Sequence, residues 1–278
     1  MGIWIKEYKP SEPLRPFVEL YSEGHFNING SGCWSSQMIP NGYLELIFHL
    51  NNPHCELPSD NQWSQSPDYM IVGLFTQSHE IQFRSIVKVF SIRLKPEALY
   101  SLFKIPASVF SNCYEDITMV LGSEFRDFAH RIREEKDIHA MIVRAESYLL
   151  KKMVDNKIDI SYINTAAELI RTTTRISIKD IADRVCISQR QLEREFKDKV
   201  GIGPKHYLRI TRINEVLQLL RNGQEFDLTN VAYQCGYFDQ AHFIKDFKKI
   251  IGVNPGIFIK EKEQTIEKPR LPHSANTY

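Results

Sequence analysis

Two clusters of side chains in the last third of this 278-residue sequence carry groups able to hydrogen-bond with the edges of nucleic-acid bases. The first is Arg190, Glu193 and Arg194; the second is Gln240, Ala241, His242 and Lys245. Arginine and glutamine can place two parallel hydrogen bonds on one base edge, and a small alanine permits close approach or meets a thymine methyl. Four lysines nearby, Lys179, Lys205, Lys248 and Lys249, are cations suited to phosphate oxygens. Such contacts fix register on a duplex while carrying little sequence information. No enzyme or cofactor is indicated: there is no Gly-rich phosphate loop and no Ser/His/Asp motif. The five cysteines (Cys33, Cys55, Cys113, Cys186, Cys235) are scattered without a C-x-x-C pair, so neither a zinc site nor a disulfide framework is expected. His25, His49, His54 and His79 with Cys55 contain no H-x-H pair and are read as structural or surface residues, not as a metal site.

The elements that must position these clusters form an internal repeat. Ile181-Ala182 matches Val231-Ala232 at an offset of 50; Leu192, Phe196-Lys197, Gly201 and Pro204 match Phe243, Phe247-Lys248, Gly252 and Pro255 at 51. One residue is therefore inserted in the second turn. Each unit reads as a short amphipathic helix, a tight turn and a longer helix. Ala182 and Ala232 are small where helices cross. Ser188 is the expected N-cap of the first long helix, with Gln191 completing a capping box. Gly236 suits a left-handed turn and Asp239 caps the second long helix. Leu192/Phe196 and Phe243/Phe247 are i, i+4 pairs that anchor each long helix to its core and leave the clusters above on the outside. That arrangement is the helix-turn-helix, whose second helix enters the major groove by its N-terminal half.

Residues 159–262 resemble the AraC/XylS family of bacterial transcription regulators. The resemblance is carried by A-D-R-V-x-I-S-x-R-x-L-E-R-x-F-K and G-I-G-P-x-x-Y-L in the first unit. It continues with Arg212 and Leu219-Leu220 in the linking helix, and V-A-x-x-C-G-Y-F-D-Q-A-H-F-I-K-D-F-K-K-x-x-G-V-N-P in the second. It implies two helix-turn-helix units joined by a long helix, with recognition helices in successive major grooves of double-stranded DNA. It also assigns the first two clusters to base reading and the four lysines to phosphate contact. Cys186 stands where glycine or another small residue is usual, which implies a strained first turn. Ile259 stands where an arginine commonly follows the final aromatic, which removes one terminal contact.

The remainder is consistent with a two-domain α+β and all-α chain. Residues 157–262 carry 18 Lys+Arg against 13 Asp+Glu, whereas 1–156 carry 15 against 19, so a near-neutral total conceals a basic part that suits a polyanion. Residues 1–95 read as mostly β. Asn41-Gly42 reads as a hairpin turn between 35–39 and 43–48; further strands are expected at 69–74, 80–83 and 86–94, and 51–66 reads as a loop. Pro96 starts a helix, and Ser123 and Asp137 cap helices at 124–134 and 138–153. Segments YKPSEPLRPFVELY, IPNGYLELIFHL and SIRLKPEALYSLFKIP resemble the N-terminal domain of a subgroup of the same family, which implies a small β-barrel-like, cupin-like sheet followed by helices. By that analogy residues 1–156 sense a small-molecule effector or mediate association. Ile138, Ile142, Ala145 and Leu149 form either a homodimer seam or a face packed on their own domain. RNA polymerase is the further partner an activator of this family requires. No apolar run is long enough to span a membrane and the N-terminus lacks a signal-peptide core, so a cytoplasmic location is expected. The tail 263–278 reads as disordered.

Overall fold

Strand periodicity and proline placement divide the chain into sheets first and helices afterwards. The computed structural model describes residues 2–27, 33–52, 54–59, 62–158, 160–221 and 228–265. Ten strands are described: β1 (Gly2–Tyr8), β2 (Val18–Asn27), β3 (Trp34–Met38), β4 (Leu44–His49), β5 (Glu56–Ser59), β6 (Gln62–Gln65), β7 (Tyr69–Val72), β8 (His79–Phe83), β9 (Val87–Leu94) and β10 (Tyr114–Asp116). They pair antiparallel into a six-stranded sheet, β1-β2-β9-β4-β7-β10, and a four-stranded sheet, β3-β8-β5-β6. Leu44, Leu46 and Phe48 of β4 alternate inward, as a half-buried strand requires. Across that sheet Glu45 pairs with Arg93, 2.6 Å from the guanidinium.

Asn41-Gly42 is not a hairpin turn. β3 belongs to the small sheet, where it pairs with β8, while β4 pairs with β9 and β7 in the large one. The dipeptide instead carries the chain between sheets: Gly42 takes φ +85°, and the Asn41 side chain accepts from the Tyr43 amide. An Asn-Gly pair satisfies any bend that needs positive φ, and local sequence does not say which strands follow from it. The 51–66 segment also departs from the expected loop, because β5 and β6 form a hairpin in it. Its Asn, Pro and Ser content hides a short alternation in which Cys55 and Leu57 are buried. β10, three residues long, is too short for any periodicity to show.

Ten α-helices are described, all of them after β9. Pro96 opens α1 (Pro96–Phe103), and a 3-10 turn at Ala107–Phe110 follows Pro106, both as proline's fixed φ favours. α2 (Ile117–Glu134) is broken at Gly122, so its regular part starts near Ser123. α3 (Ile138–Asp155) is capped by the Asp137 carboxylate, which accepts from the Ala140 amide. Ala145 and Leu149 are fully buried, and Ile138 and Ile142 pack on the same core, so this face is covered by its own fold. α4 (Tyr162–Thr172), α5 (Ile178–Arg184), α6 (Gln189–Val200), α7 (Pro204–Arg221), α8 (Leu228–Gln234), α9 (Gln240–Ile251) and α10 (Pro255–Thr265) complete the chain. α10 carries helix to Thr265, three residues into the segment read as a disordered tail; residues 266–278 lie outside the described residues.

One core cluster runs from Leu14 and Phe17 through Phe48, Phe90 and Phe125 to Phe196, Tyr207 and Phe247. A smaller one fills the space under β5 and β8 with Cys55, Leu57, Met70, Ile81 and Phe83. Beside it His49 is completely buried and stacks on His54, ring centroids 4.2 Å apart. Burial, reinforced by His54, lowers the His49 pKa to about 4. Among the described residues no group of three or more His, Cys, Asp or Glu is arranged to hold a metal.

Candidate nucleic-acid interface

The two helical units repeat each other at the level of single hydrogen bonds. In the first, the Cys186 amide donates to the Asp183 carbonyl and the Ile187 amide to that of Ala182 (3.0 Å); in the second, Gly236 donates to Tyr233 and Tyr237 to Ala232 (2.9 Å). Cys186 and Gly236 both occupy the left-handed region, at φ +56° and +79°. A residue with a β-carbon pays about 1–2 kcal/mol there, so Cys186 carries the expected strain. The Ser188 hydroxyl accepts from the Gln191 amide and the Asp239 carboxylate from that of His242, which satisfies amides a helix start otherwise leaves orphaned. α6 and α9 are each twelve residues long and end at left-handed Gly201 and Gly252. The capping box is only half made: the Gln191 side chain does not return to Ser188 but bonds the Tyr162 hydroxyl and Glu195.

The faces of the two long helices sort by partner. Leu192, Phe196 and Val200 of α6 are buried. Gln191, Glu195 and Lys199 face α4, where Tyr162 donates to Glu195 and Lys199 lies over the Tyr162 ring. Glu193 is exposed on the opposite flank, its carboxylate lying over Gly203 at the entrance to α7, so close that a β-carbon there would collide. Between the flanks Arg190, Arg194 and Lys197 point outward, and the Arg194 side chain is 76% exposed. In α9, Phe243, Phe247, Ile250 and Ile251 are buried. His242 and Asp246 occupy the positions of Gln191 and Glu195 and, like them, bond within the domain. The His242 ring lies 3.5 Å from Asp246 and edge-on to Tyr237, and Arg209 pairs with Asp246 at 3.3 Å. Gln240, Ala241, Lys245, Lys248 and Lys249 are exposed, as are Lys179 on α5 and Lys205 on α7. The sequence places His242 with the outward residues, but its contacts put it on the flank. Two side chains escaped the reading from sequence: Lys197, whose repeat partner Lys248 already pointed to it, and Phe238, whose apolar type gave no signal for an exposed role.

The cysteines of the two turns differ. Cys235 is buried, and burial pushes its thiol up to about 12, which leaves it unreactive at neutral pH. Cys186 is exposed.

α6 ends against the segment that follows the 3-10 turn, and α9 against the small sheet. The Ser111 hydroxyl donates to the Gly201 carbonyl at 2.8 Å. At the end of α9 the Ser78 amide donates to Ile250, and the Ser78 hydroxyl and Gln37 amide donate to Ile251. These are last-turn carbonyls without partners in their own helices. Between the two ends Glu97 of α1 holds Arg171 of α4 bidentately, 2.5 and 3.0 Å, with both side chains nearly inaccessible. Burial alone would lower the Arg171 pKa, but Tyr207 and Glu97 raise it overall. Tyr207 in turn donates to the Gly42 carbonyl, and Asn214 to that of Pro40. Next to this ion pair lies a cleft of about 540 Å³, lined by Arg15, Lys95, Glu97, Asn164, Glu168 and Arg171 among others.

Residues 163–261 match a family described as a helix-turn-helix domain. This is the span in which the repeated caps, turns and outward faces lie. The C-terminal part is a helix-turn-helix domain. Residues 6–116 match a domain of unknown function. The chain is similar over part of its length to the HTH-type transcriptional activator RhaS of Escherichia fergusonii, 35% identical over 80 residues, and to RhaS of Citrobacter koseri, 35% over 77. The first of these matches spans 29% of this chain and 28% of that protein. Among solved structures, ToxT from Vibrio cholerae aligns over 86% of this chain and 98% of its own, with 12% identity and a TM-score of 0.47. The DNA-binding domain of AdpA in complex with a target DNA aligns over 39% of this chain and 99% of its own, with 18% identity and a TM-score of 0.36. No helix among the described residues is long and apolar enough to cross a membrane.

Proposed function

We propose that this chain is a bacterial transcriptional regulator that reads double-stranded DNA with α6 and α9. The observation that carries the reading is the pair of matched outward faces on two helices whose caps, turns and ends repeat one another. Arg190 and Arg194 of α6, and Gln240, Ala241 and Lys245 of α9, read base edges; Glu193 and His242, on the flanks, contribute at the margin of each site. Lys179, Lys205, Lys248 and Lys249 hold phosphates. With the helices in successive major grooves the two half-sites lie about 34 Å apart on one face of the duplex. The test is the protection pattern of the full chain on a duplex selected from random sequence.

A small-molecule effector controls this binding through the domain contact. The reading is supported by the cleft beside Glu97 and Arg171 and by the hydrogen bonds from the N-terminal half to both recognition-helix ends. A molecule seated there acts on the helices through these contacts. Saturable stabilisation of the full chain by one small metabolite in a thermal-shift screen, with a change in DNA affinity, supports control. Stabilisation by none leaves 1–156 as a dimerisation or protein-contact domain. Contact with RNA polymerase follows if the regulator activates, and a cytoplasmic location follows from a DNA target.

A further inference from the structure

The residue inserted into the second turn is Phe238. The two turns match at an offset of 50 through Ile187 and Tyr237, whose amides donate to Ala182 and Ala232, and at 51 from Ser188 and Asp239, whose side chains cap the following helices. Only Phe238 lies between these registers, so it has no counterpart in the first unit. Among the described residues it is also the most exposed large apolar side chain, at 86%.

Packing does not account for it. The residue before an N-cap commonly closes over the fourth helical residue. In the first unit Ile187 stands at that position, with Leu192 as the fourth residue of α6. In the second, Tyr237, one residue further back, fills the role against Phe243, ring centroids 5.5 Å apart. The extra residue is thereby pushed out of the core, beside Gln240 at the first turn of α9. An aromatic ring held in water at the leading end of a helix aimed at a major groove has a natural apolar partner there, the thymine C5-methyl.

We infer that Phe238 is a specificity residue that packs on a thymine methyl at the edge of the half-site read by α9. This rests on the DNA-reading function proposed above and deepens it: the two half-sites are read unequally, because α6 has no equivalent ring.

The experiment measures binding of the full wild-type chain and of Phe238→Ala to the selected duplex, with each thymine of the α9 half-site replaced in turn by uracil. The wild type loses about fourfold in affinity at one thymine, the worth of one buried methyl. Phe238→Ala binds the unmodified site roughly tenfold more weakly and is indifferent to that replacement, while Phe238→Leu retains a partial preference. Unchanged thermal unfolding of both variants keeps the comparison to the interface. A uracil penalty that persists undiminished in Phe238→Ala overturns this inference alone. So does unaltered DNA affinity with lost transcriptional activation, which would assign the ring to a protein partner. A wild-type chain that selects no sequence overturns the DNA-reading assignment and this inference with it.

Discussion

Arg194 stands out from α6 with its side chain 76% exposed, its guanidinium 3.4 Å from the neighbouring Glu195 carboxylate. That makes it a residue whose removal costs the fold little and the interface much. Arg194→Ala is expected to weaken binding to the selected site by about 1–3 kcal/mol and to relax preference at one base pair. A mobility-shift titration against the site and its single-base variants measures both, and unchanged affinity and preference would contradict the assignment. Lys248→Ala should act differently, weakening all sequences alike and reducing the salt slope by about 1. At this scale much was legible beforehand: helical period and cap chemistry place Arg190, Arg194, Ala241 and Lys245 on the outside without knowledge of the fold. His242 was not legible in the same way. Its position on α9 resembles theirs, and only Tyr237 and Asp246, brought together by the folded turn and helix, place it on the flank.

The turn elements show how the same backbone demand is met by unlike residues. Gly236 lies at φ +79°, and a β-carbon there would meet the Thr174 carbonyl at 2.9 Å. That carbonyl also accepts from Arg212, whose guanidinium lies over the Tyr237 ring. Gly236→Ala therefore combines left-handed strain of about 1–2 kcal/mol with a clash against backbone. The expected destabilisation exceeds about 2 kcal/mol in urea unfolding; a loss below about 0.5 kcal/mol would show that the turn is looser than its hydrogen bonds indicate. The helices themselves were legible because proline, Asp137, Ser188 and Asp239 mark their starts and Gly201 and Gly252 their ends. The β5–β6 hairpin was not, because Pro58 and its polar neighbours carry loop chemistry while the inward Cys55 and Leu57 carry the strand. Asn41-Gly42 misled for the complementary reason: its turn chemistry is genuine, but a bend between two sheets uses it as readily as a hairpin does.

At the scale of the whole molecule, α6 and α9, the helices proposed to read DNA, are held from behind. Ser111 closes the end of α6, Ser78 and Gln37 close the end of α9, and the Glu97–Arg171 pair fastens α4 to α1 between them. None of this was legible in sequence, since each bond joins residues 74 to 214 positions apart and serine or glutamine announces no such role. Its consequence is that α6 and α9 are each tied at their C-terminal ends to the N-terminal half of the chain, so one chain should engage DNA as a unit with a fixed separation between half-sites. Hydroxyl-radical footprinting of the full wild-type chain on its selected duplex tests this most directly. Two protected patches on one face of the helix, with centres about 10 base pairs apart, are the predicted result. A single protected patch, patches on opposite faces, or uniform protection without sequence preference would contradict it.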